Sequence, residues 1–484
     1  MRLSSVGWLF LLACLLVLSS CTSDRDRLAR QDDASAVKDE LTYSGAPKTD
    51  AELQEILADP KVRDAVLRSM KVLPVPWLES VTRTASCGDF DHCASAGGFL
   101  DVVFFGASLT WGANATDPNL TSYRGVIARR LEERYPRARF RFYDAAIGGT
   151  GSQLGVFRLE RDVLRRKPDL VFLDFSANDD IYSDTPETLA SYEAIVRRLV
   201  AEAKAPVVMV IFPFQWNVAQ GNTNGMKRRD AHLRIADAYN VPVGDAITLG
   251  QRRVKEGTMA IPEIWPTDGV HPGDSGYWMF ANAAWGAFLD GVEKKRVCSA
   301  PPKMLHADTY MTSARVRLST LGKLPAGWRV GSPNLTSAWY DALMSRWLDD
   351  VVIAANRSKA VDPATKKEST APQKVERLRV RFNGSMALLF GEKTPKSCRY
   401  RVWLDGKIVE HKEGQPPKVL DSFDASSKQF GGNVHLTQVI AEGLDPKADH
   451  TLEVEPLFAG DEEQELRIES LCVAGGAAKV WREE

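Results

Sequence analysis

The chain has 484 residues, 44% of them hydrophobic, and its 62 basic and 63 acidic side chains give a formal net charge of −1. This length and apolar content predict two or three domains with sizeable cores rather than one. The balanced charge excludes a global field that would favour nucleic acid or an anionic membrane surface, so we expect no nucleic-acid partner.

The N-terminus has the features of an export signal. Met1-Arg2 is followed by an apolar-rich run of about 13 residues, fewer than the roughly 20 that span a bilayer. The next residues, Leu18-Ser19-Ser20-Cys21, resemble the bacterial lipobox, in which the signal peptide is removed before a cysteine that is then lipidated. We therefore expect a lipoprotein signal peptide over residues 1–20 and a lipid anchor on Cys21. An ordinary secretory signal that happens to contain Cys21 is the alternative.

The segment after the anchor leads into the first domain. Thr22, rather than Asp, follows the cysteine, which by resemblance to bacterial lipoproteins indicates the outer membrane of the cell envelope. Residues 21–48 are polar and charged, which is typical of a flexible tether. Residues 49–98 are predicted as a lead-in, with a helix from Asp50 to about Leu73 and irregular chain from Pro74 onward.

Between residues 99 and 297, apolar strands alternate with helical segments, which is typical of a parallel sheet covered by helices on both faces. The first strand, from Leu100 to Phe105, breaks at Gly106-Ala107-Ser108. In chain order we predict a helix around Tyr123–Leu131, a strand Phe140–Tyr143, a helix over 155–166, a strand Leu170–Phe175, a helix over 186–203, a strand Val207–Phe212, a helix over 226–239, a strand at Val241–Val243 and a last helix over 274–292.

After Cys298 the pattern changes to alternation at period two, so residues 298–484 are predicted as an antiparallel β-sandwich accessory domain. The clearest segments are Leu378–Phe382, Tyr400–Leu404 and Thr451–Val454. Asn383-Gly384 and Asp405-Gly406 are typical of hairpin turns. A charged stretch from about Arg357 to Lys374 interrupts the strands, and we expect it to be mobile.

Export would permit disulfides, and removal of the signal peptide together with lipidation of the anchor would leave five cysteines. Cys87 and Cys93 could close a small loop. Cys398 and Cys472 could join two strand-like segments. Cys298 would then stay unpaired, although the sequence alone does not determine the connectivity. No Cys-X-X-Cys pair indicates a zinc site.

Two glycine-containing turns follow predicted strands. Gly106-Ala107-Ser108 ends the first strand, where an open α/β sheet binds its ligands, so Ser108 is suitably located for a nucleophile. An ordinary turn or a helix N-cap is the alternative. In Gly148-Gly149-Thr150-Gly151, the glycines allow a backbone N–H to approach a ligand, whereas a tight strand-to-helix turn is the alternative. The glycine spacing disfavours a phosphate-binding loop.

Two polar stretches lie at later turns. Asn178 follows a buried strand, where its side-chain N–H could donate to a developing oxyanion; a turn-forming Asn-Asp pair is the alternative. Asp268-Gly269-Val270-His271-Pro272 lies before the last helix. Asp268 could there accept from Nδ1 of His271 while Nε2 faces a nucleophile. A surface Asp–His pair, an N-cap and a metal ligand are the alternatives, but no second His or Cys lies nearby in sequence to complete a metal site.

Together these stretches, in the order Ser…Gly…Asn…Asp-X-X-His, resemble the SGNH hydrolase family, also called GDSL-type esterases, over about residues 99–293. The resemblance implies a flavodoxin-like three-layer α/β/α domain with a parallel sheet at residues 99–297. It implies a carboxylic ester hydrolase, and we expect no cofactor and no metal.

The resemblance also implies a role for each site residue. Ser108 would be the nucleophile, His271 the general base and then the general acid, and Asp268 its orienting partner. The oxyanion hole would consist of the backbone N–H groups of Ser108 and Gly149 and the side chain of Asn178. By register, Gly149 rather than Gly148 corresponds to the family's glycine.

Some positions depart from the family pattern. Ala107 stands where an Asp usually precedes the serine, Ser176-Ala177 where a Gly usually precedes Asn-Asp, and Asp144 where Asn is common. None of these changes removes a catalytic group, so they concern substrate preference more than activity. Thr110 stands where the nucleophile elbow of α/β-hydrolases requires a glycine, which excludes that fold.

Within the family, the loop with Gly149, the following Gly-X-X-Arg helix and the Lys-Pro-Asp-Leu strand look most like carbohydrate O-acetyl esterases, to which similar β-sandwich domains are often appended. We therefore expect an acetylated polysaccharide as the substrate. Trp111, Trp216 and Trp265 could stack on sugar rings or belong to the core. A glycan O-acetyltransferase, a lipid or lysophospholipid esterase and a non-catalytic glycan-binding lipoprotein are the alternatives. The oligomeric state is not determined by the sequence.

Overall fold

The computed structural model describes residues 84–333, 348–361, 368–414, 416–427, 434–460 and 462–482. These described residues belong to one compact unit. The predicted signal peptide, the Cys21 anchor, the tether and the helix from Asp50 to Leu73 lie outside the described residues. Among the helices within these ranges, none is long and apolar enough to cross a membrane.

The first part of the described chain is built on a five-stranded sheet in the order β2-β1-β3-β4-β5. Its strands are β1 (Phe99–Gly106), β2 (Arg139–Ala146), β3 (Leu170–Leu173), β4 (Val207–Ile211) and β5 (Val243–Asp245). Every neighbouring pair is parallel. This is the flavodoxin-like strand order, so the predicted fold is confirmed. All of β1 after Phe99 is buried, which explains its continuous apolar sequence.

Helices cover both faces of this sheet. They are α1 (Cys87–Ala96), α2 (Ser108–Trp111), α3 (Tyr123–Arg134), α4 (Ser152–Asp162), α5 (Pro186–Ala201), α6 (Gln215–Ala219), α7 (Lys227–Ala238), α8 (Ala246–Lys255), α9 (Ile261–Ile264) and α10 (Asp274–Glu293). Phe105 and the other apolar residues on one face of the sheet pack with α4, α5 and α7. Phe104 and its neighbours on the opposite face pack with α1, α3 and α10. The result is three layers with the sheet in the middle.

The helices and strands predicted from periodicity between residues 99 and 297 are present, with ends that differ by a few residues. The predicted irregular approach after Pro74 is wrong over Cys87–Ala96, which is helix α1. The Ser86 side chain accepts from the N–H of Asp89, and Gly97 ends the helix with a positive φ of 95°. These caps outweigh the Cys- and Gly-rich composition. Helices α2, α6, α8 and α9 are not among the predicted elements.

The second part of the described chain contains two antiparallel sheets, as predicted. One has the order β14-β13-β19-β11-β21 with β17 paired to β13, and the other has the order β18-β12-β20-β8-β7 with β6 paired to β20. Their strands are β6 (Ser313–Arg317), β7 (Trp328–Gly331), β8 (Val351–Ala355), β11 (Leu378–Asn383), β12 (Met386–Lys393), β13 (Arg399–Leu404), β14 (Lys407–Ile408), β17 (Phe423–Asp424), β18 (Val434–Ala441), β19 (Asp449–Leu457), β20 (Glu465–Ala474) and β21 (Lys479–Trp481). Apolar residues of both sheets, such as Val402 and Leu389, share one core.

Two short hairpins lie beside these sheets. The charged stretch that was expected to be mobile contains β9 (Arg357–Val361) and β10 (Glu368–Pro372), which pair antiparallel, so that expectation is wrong for these residues. The second hairpin pairs β15 (His411–Glu413) with β16 (Lys418–Leu420).

One of the two predicted hairpin turns is confirmed. Asp405 and Gly406 have positive φ angles of 50° and 76° and join the paired strands β13 and β14. Asn383-Gly384 is not a hairpin turn, because β11 pairs with β19 and β21 whereas β12 pairs with β18 and β20. The turn carries the chain from one sheet to the other instead.

Neither of the two suggested cysteine pairs fits the fold. Cys87 and Cys93 lie six residues apart in α1, which separates them by roughly 9 Å along the helix axis. The N–H of Cys398 donates to the carbonyl of Glu465, whereas Cys472 lies seven residues farther along β20, roughly 23 Å away. Both separations exceed the approximately 7 Å between Cα atoms that a disulfide can bridge. The described cysteines are all present as free thiols.

The sandwich packs against the three-layer part through an apolar face. Leu388, Phe390 and Cys472 lie on the outer side of their sheet and belong to the same core as Leu154 and Phe157 of α4. Helix α4 directly follows the Gly149 loop. The sandwich therefore supports one side of the carboxyl edge of the parallel sheet.

Candidate active site

Ser108 lies at the carboxyl end of the central strand β1. The strand ends at Gly106, where a Cβ atom would collide with Oγ1 of Thr110 and with the backbone oxygen of Asp174. Only glycine fits this close approach, and the chain then turns into the short helix α2, whose first residue is Ser108. The Ser108 residue is mostly buried. The predicted break after the apolar run therefore puts a serine at the ligand-binding edge of the sheet.

The ring of His271 contacts Ser108, although the two residues are far apart in sequence. Its Nε2 lies 3.1 Å from Oγ of Ser108. On the far side of the ring, Nδ1 lies 3.5 Å from Oδ2 of Asp268. The three side chains thus form a continuous serine–histidine–aspartate contact, with the geometry that general-base activation of a hydroxyl requires.

The Asp268 carboxylate is held in its charged form by its own loop. Partial burial acts against the charge, but the N–H groups of His271 and Val270 both donate to Oδ1 at 2.7 Å and lower the pKa of Asp268 below its usual value. Burial lowers the pKa of His271 below its usual value, and the nearby Asp268 carboxylate opposes this only in part. At neutral pH the ring is therefore neutral, as a general base must be.

Asn114 is a site residue that the sequence analysis missed. Its Nδ2 donates to Oδ2 of Asp268 at 2.9 Å and to the backbone oxygen of His271 at 3.2 Å. The residue has a positive φ of 67°, a conformation that asparagine tolerates better than most residues. Its contacts span more than 150 positions of sequence, so no local pattern could have identified it.

The Gly149 loop follows β2, next to β1 in the sheet. Gly149 has a positive φ of 72°, and a Cβ atom there would meet open space. Glycine is therefore needed for the backbone conformation and not for lack of room. The Asp179 side chain accepts from the N–H of Ser152 at 2.9 Å, and a Cβ on Gly151 would collide with the same oxygen. This bond ties the Gly149 loop to the Asn178 turn.

Asn178 follows β3, on the other side of β1. Because β2, β1 and β3 are adjacent and parallel, the Gly149 loop, Ser108 and Asn178 lie at three neighbouring strand ends. Asn178 is half-buried, and its Oδ1 has no hydrogen-bond partner among the described residues. The predicted site residues of this domain therefore gather at one edge of the sheet.

Arg158 binds the carboxyl ends of two strands, β1 and β2. It is fully buried, and its guanidinium donates to the backbone oxygens of Ala145 at 2.6 Å and Gly106 at 2.8 Å. Asp162 forms an ion pair with it at 3.2 Å. Burial lowers the pKa of Arg158 to about 10, so it keeps its charge at neutral pH. In the sequence this arginine is recognisable only as part of the Gly-X-X-Arg pattern.

The three tryptophans that could stack on sugar rings or belong to the core differ in their exposure. Trp111 and Trp265 are only 8% and 4% exposed and belong to the core. Trp216 is 48% exposed and lies on α6, where its ring is close to Gly269, between Asp268 and His271. The N–H of the neighbouring Gln215 donates to the backbone oxygen of Gly269 at 2.8 Å. Trp216 is thus an exposed aromatic surface beside the histidine loop.

The β-sandwich contacts the first turn of α4, the helix that follows the Gly149 loop. Nε2 of Gln153, in the first turn of α4, donates to Oη of Tyr310 at 2.8 Å and to Oε1 of Glu442 at 2.5 Å. Glu442 directly follows β18 of the sandwich. Within the described residues, no group of three or more His, Cys, Asp or Glu side chains is arranged to hold a metal ion.

Comparisons with known proteins agree with this architecture. A two-domain esterase (CEX) active on acetylated mannans, crystallised with mannopentaose, is 23% identical over 81% of this chain and 94% of its own, with a TM-score of 0.60. A second structure of a two-domain esterase (CEX) active on acetylated mannans is 23% identical over 79% of this chain and 93% of its own, with a TM-score of 0.58. Axe2, an acetylxylan esterase from Geobacillus stearothermophilus, is 24% identical over 40% of this chain and 96% of its own, with a TM-score of 0.33. No curated protein sequence matches the chain.

The two-domain likeness extends over both the parallel-sheet part and the sandwich, so the fold is shared by both. The sequence profile of the GDSL-like lipase/acylhydrolase family matches residues 104–279, a range that includes every predicted site residue of this part. The predicted resemblance to this family is therefore confirmed over residues 104–279.

Proposed function

We propose that this protein is a serine esterase that removes O-acetyl groups from a polysaccharide through an acyl-enzyme intermediate. The observation that carries the proposal is the contact of 3.1 Å between Oγ of Ser108 and Nε2 of His271, completed by Asp268. Such a contact activates a hydroxyl for attack on a carbonyl carbon.

In the first half of the reaction, His271 takes the proton from Ser108 as Oγ attacks the acetyl carbonyl. The negative charge then develops on the carbonyl oxygen, and the N–H groups of Ser108 and Gly149 together with the Asn178 amide would stabilise it. When the intermediate collapses, the bond to the sugar oxygen breaks and His271 gives its proton to that oxygen. The deacetylated sugar leaves and the acetyl group stays on Ser108.

In the second half, a water molecule attacks the acetyl-enzyme. His271 removes the proton from the water and returns it to Oγ of Ser108, and acetic acid leaves. Asp268 stabilises the imidazolium in both halves without taking the proton itself.

Two features support a polysaccharide as the substrate. The exposed ring of Trp216 beside Gly269 offers an apolar face of the type that stacks on sugars, next to the proposed catalytic histidine. The similar two-domain esterase acts on acetylated mannans. Acetylated mannan is therefore the first substrate to test, followed by acetylated xylan.

We also propose that the protein is anchored in the bacterial cell envelope, in the outer membrane, through a lipid on Cys21. The support is the lipobox-like Leu18-Ser19-Ser20-Cys21 after a short apolar run. A surface-anchored esterase would act on a polymer that is too large to import.

Release of acetate from 4-nitrophenyl acetate and from acetylated mannan tests the esterase proposal. We expect Ser108→Ala to lower kcat by several orders of magnitude, since it removes the nucleophile. Ser95→Ala is the matched control, because Ser95 is exposed on α1, and it should keep full activity. Wild-type turnover retained by Ser108→Ala would refute the assignment. Acetyl transfer to an added glycan without free acetate would identify a transferase instead.

A further inference from the structure

Two cysteines that are far apart in sequence meet at the amino-terminal edge of the parallel sheet. Cys87 is the first residue of α1, and Cys298 follows the end of α10 by five residues. The N–H of Cys87 donates to the backbone oxygen of Arg296 at 2.9 Å, and the N–H of Cys298 donates to that of Ala85 at 2.8 Å. Ser86 and Val297 lie opposite each other between these bonds as an antiparallel bridge.

The two cysteines are neighbours across this bridge and are buried inside the protein. Cys87 is 1% exposed and Cys298 is 3% exposed. A hydrogen bond between the two side chains lowers the pKa of the Cys298 thiol and raises that of the Cys87 thiol. Gly291 of α10 makes room for this pair, because a Cβ atom there would lie 2.9 Å from Sγ of Cys87.

The other described cysteines differ from this pair. Cys93 lies at the far end of α1, Cys398 directly precedes β13, and Cys472 lies in β20 of the other sheet. The sequence suggested that Cys298 stays unpaired, whereas the fold brings it to Cys87.

We propose that Cys87 and Cys298 form a disulfide that joins the start and the end of the three-layer domain when the chain meets a small-molecule or protein disulfide as oxidant. Export would supply such an oxidant, but the proposal depends only on the position of the two cysteines on either side of the Ser86–Val297 bridge.

The disulfide would form in two steps of thiol–disulfide exchange. The Cys298 thiolate attacks one sulfur of the oxidant, which forms a mixed disulfide and releases one thiol. Cys87 then loses its proton and attacks the Cys298 sulfur, which closes the protein disulfide and releases the second thiol. The oxidant disulfide is thereby reduced to two thiols, and two protein thiols are oxidised. Because both sulfurs are buried, these steps take place as the chain folds or when the first turn of α1 opens.

The bond would stabilise the domain without touching its proposed chemistry. It would close residues 87–298 into a loop that contains the whole parallel sheet, and restriction of so long a loop in the unfolded chain favours the folded state. Sγ of Cys298 lies 4.0 Å from the backbone oxygen of Val207, the first residue of β4. The pair is therefore at the opposite edge of the sheet from Ser108.

The test uses the purified full chain in glutathione buffers of increasing oxidised-to-reduced ratio, held until the pattern stops changing. The protein is then unfolded with iodoacetamide, digested without reductant and analysed by mass spectrometry. We expect one linked peptide pair containing Cys87 and Cys298, with Cys93, Cys398 and Cys472 alkylated. Alkylation of both Cys87 and Cys298 in the most oxidising buffer, or a bond from Cys87 to another cysteine, would overturn the proposal.

A stability measurement checks the same bond independently. Adding reductant should lower the Tm of the oxidised wild type by on the order of 5 to 15 °C. The same reductant should leave the Tm of Cys87→Ser and Cys298→Ser unchanged, whatever the starting stability of these variants. Cys93→Ser is the control and should keep the wild-type response. The disulfide would be refuted if reductant did not change the Tm of the wild type, or if it still lowered the Tm of Cys87→Ser. Esterase activity is expected to stay within twofold between the two redox states.

Discussion

Asn114 donates from its side-chain nitrogen to Oδ2 of Asp268 at 2.9 Å, and thereby connects the turn after Ser108 to the loop that carries His271. The same nitrogen donates to the backbone oxygen of His271. Asn114 does not contact the reacting serine, so we regard it as a positioning residue for the carboxylate. Tyr277 binds the residue before Asn114, since its phenol donates to the backbone oxygen of Ala113 at 2.6 Å.

Loss of the Asn114 amide should lower kcat on 4-nitrophenyl acetate by roughly 10- to 100-fold with little change in KM, because Asp268 would lose one of its orienting donors. Asn114→Gly isolates this effect, since glycine adopts the positive φ of 67° freely. Asn114→Ala should show the same loss of kcat and in addition a lower Tm from backbone strain. Wild-type kcat in Asn114→Gly would show that the residue only shapes the turn.

The decrease in activity at low pH should reflect protonation of the His271 ring. Only the neutral ring can accept the Ser108 proton, so activity should fall as the pH falls through the pKa of His271. Burial lowers that pKa, and the midpoint of kcat/KM should therefore lie below the usual value of 6.5. Asp268→Asn should move the midpoint lower still, because Asp268 opposes the shift, and should lower kcat by on the order of 10³- to 10⁴-fold.

Asp290→Asn at the distant end of α10 is the control for this profile and should leave the midpoint unchanged. A midpoint at or above 6.5 in the wild type, or activity that increases as the pH falls, would contradict the assignment of His271 as the base.

The role of Asn178 can be distinguished from that of a structural turn. If its amide donates to the tetrahedral intermediate, Asn178→Ala should lower kcat by roughly 10²- to 10³-fold, about 2.7–4 kcal/mol of transition-state stabilisation. KM should change little, because the bond strengthens mainly as charge develops. Asn282→Ala, on α10 and bound to Arg130, is the control. A loss of Tm with near-wild-type kcat would remove Asn178 from the oxyanion hole.

Trp216 should matter for the polymer and not for a small ester. Trp216→Ala is expected to raise KM for acetylated mannan by about 2- to 10-fold, in line with the 0.5–1.5 kcal/mol typical of an aromatic stacking contact, and to leave 4-nitrophenyl acetate hydrolysis unchanged. Trp216→Phe keeps an aromatic face and should restore most of the affinity. An equal loss on both substrates would mean that Trp216 supports the histidine loop rather than a sugar.

The lipid anchor is tested by fractionation of cells that express the full chain. We expect the wild type in the membrane fraction and Cys21→Ser in the soluble fraction or unprocessed. Cys14→Ser changes a cysteine within the apolar run and leaves the lipobox intact, so it should remain in the membrane. Wild-type protein found mainly in the soluble periplasmic or secreted fraction would contradict the anchor.

Much of the fold could be predicted because its determinants are local. The apolar run before Gly106 is long enough for a strand buried on both faces, and the alternation of such runs with helical periodicity defines a parallel sheet. The positions of Ser108, Gly149 and Asn178 after successive strands follow from the same pattern, because parallel strands bring their carboxyl ends to one edge. Asp268 and His271 lie three residues apart, and the resemblance to the SGNH family implied their roles because they follow the other stretches in the family's order.

Other features depend on contacts between residues that are distant in sequence, and only the tertiary structure decided them. The composition around Cys87 gave no sign of a helix, whose ends are fixed by Ser86 and Gly97. The alternation on either side of Asn383-Gly384 is the same whether the two strands pair or separate into different sheets.

The sequence by itself determined the alternation of strands and helices and the positions of Ser108, Gly149 and Asn178 after successive strands, because strand, turn and helix preferences act over a few neighbouring positions. The flavodoxin-like fold and the roles of the site residues were implied by the family resemblance. The tertiary structure decided that Asn114 holds Asp268, that Trp216 is exposed while Trp111 and Trp265 are buried, and that Cys87 meets Cys298. These depend on which surfaces pack together once the sheet has formed, and packing is a property of the folded chain as a whole.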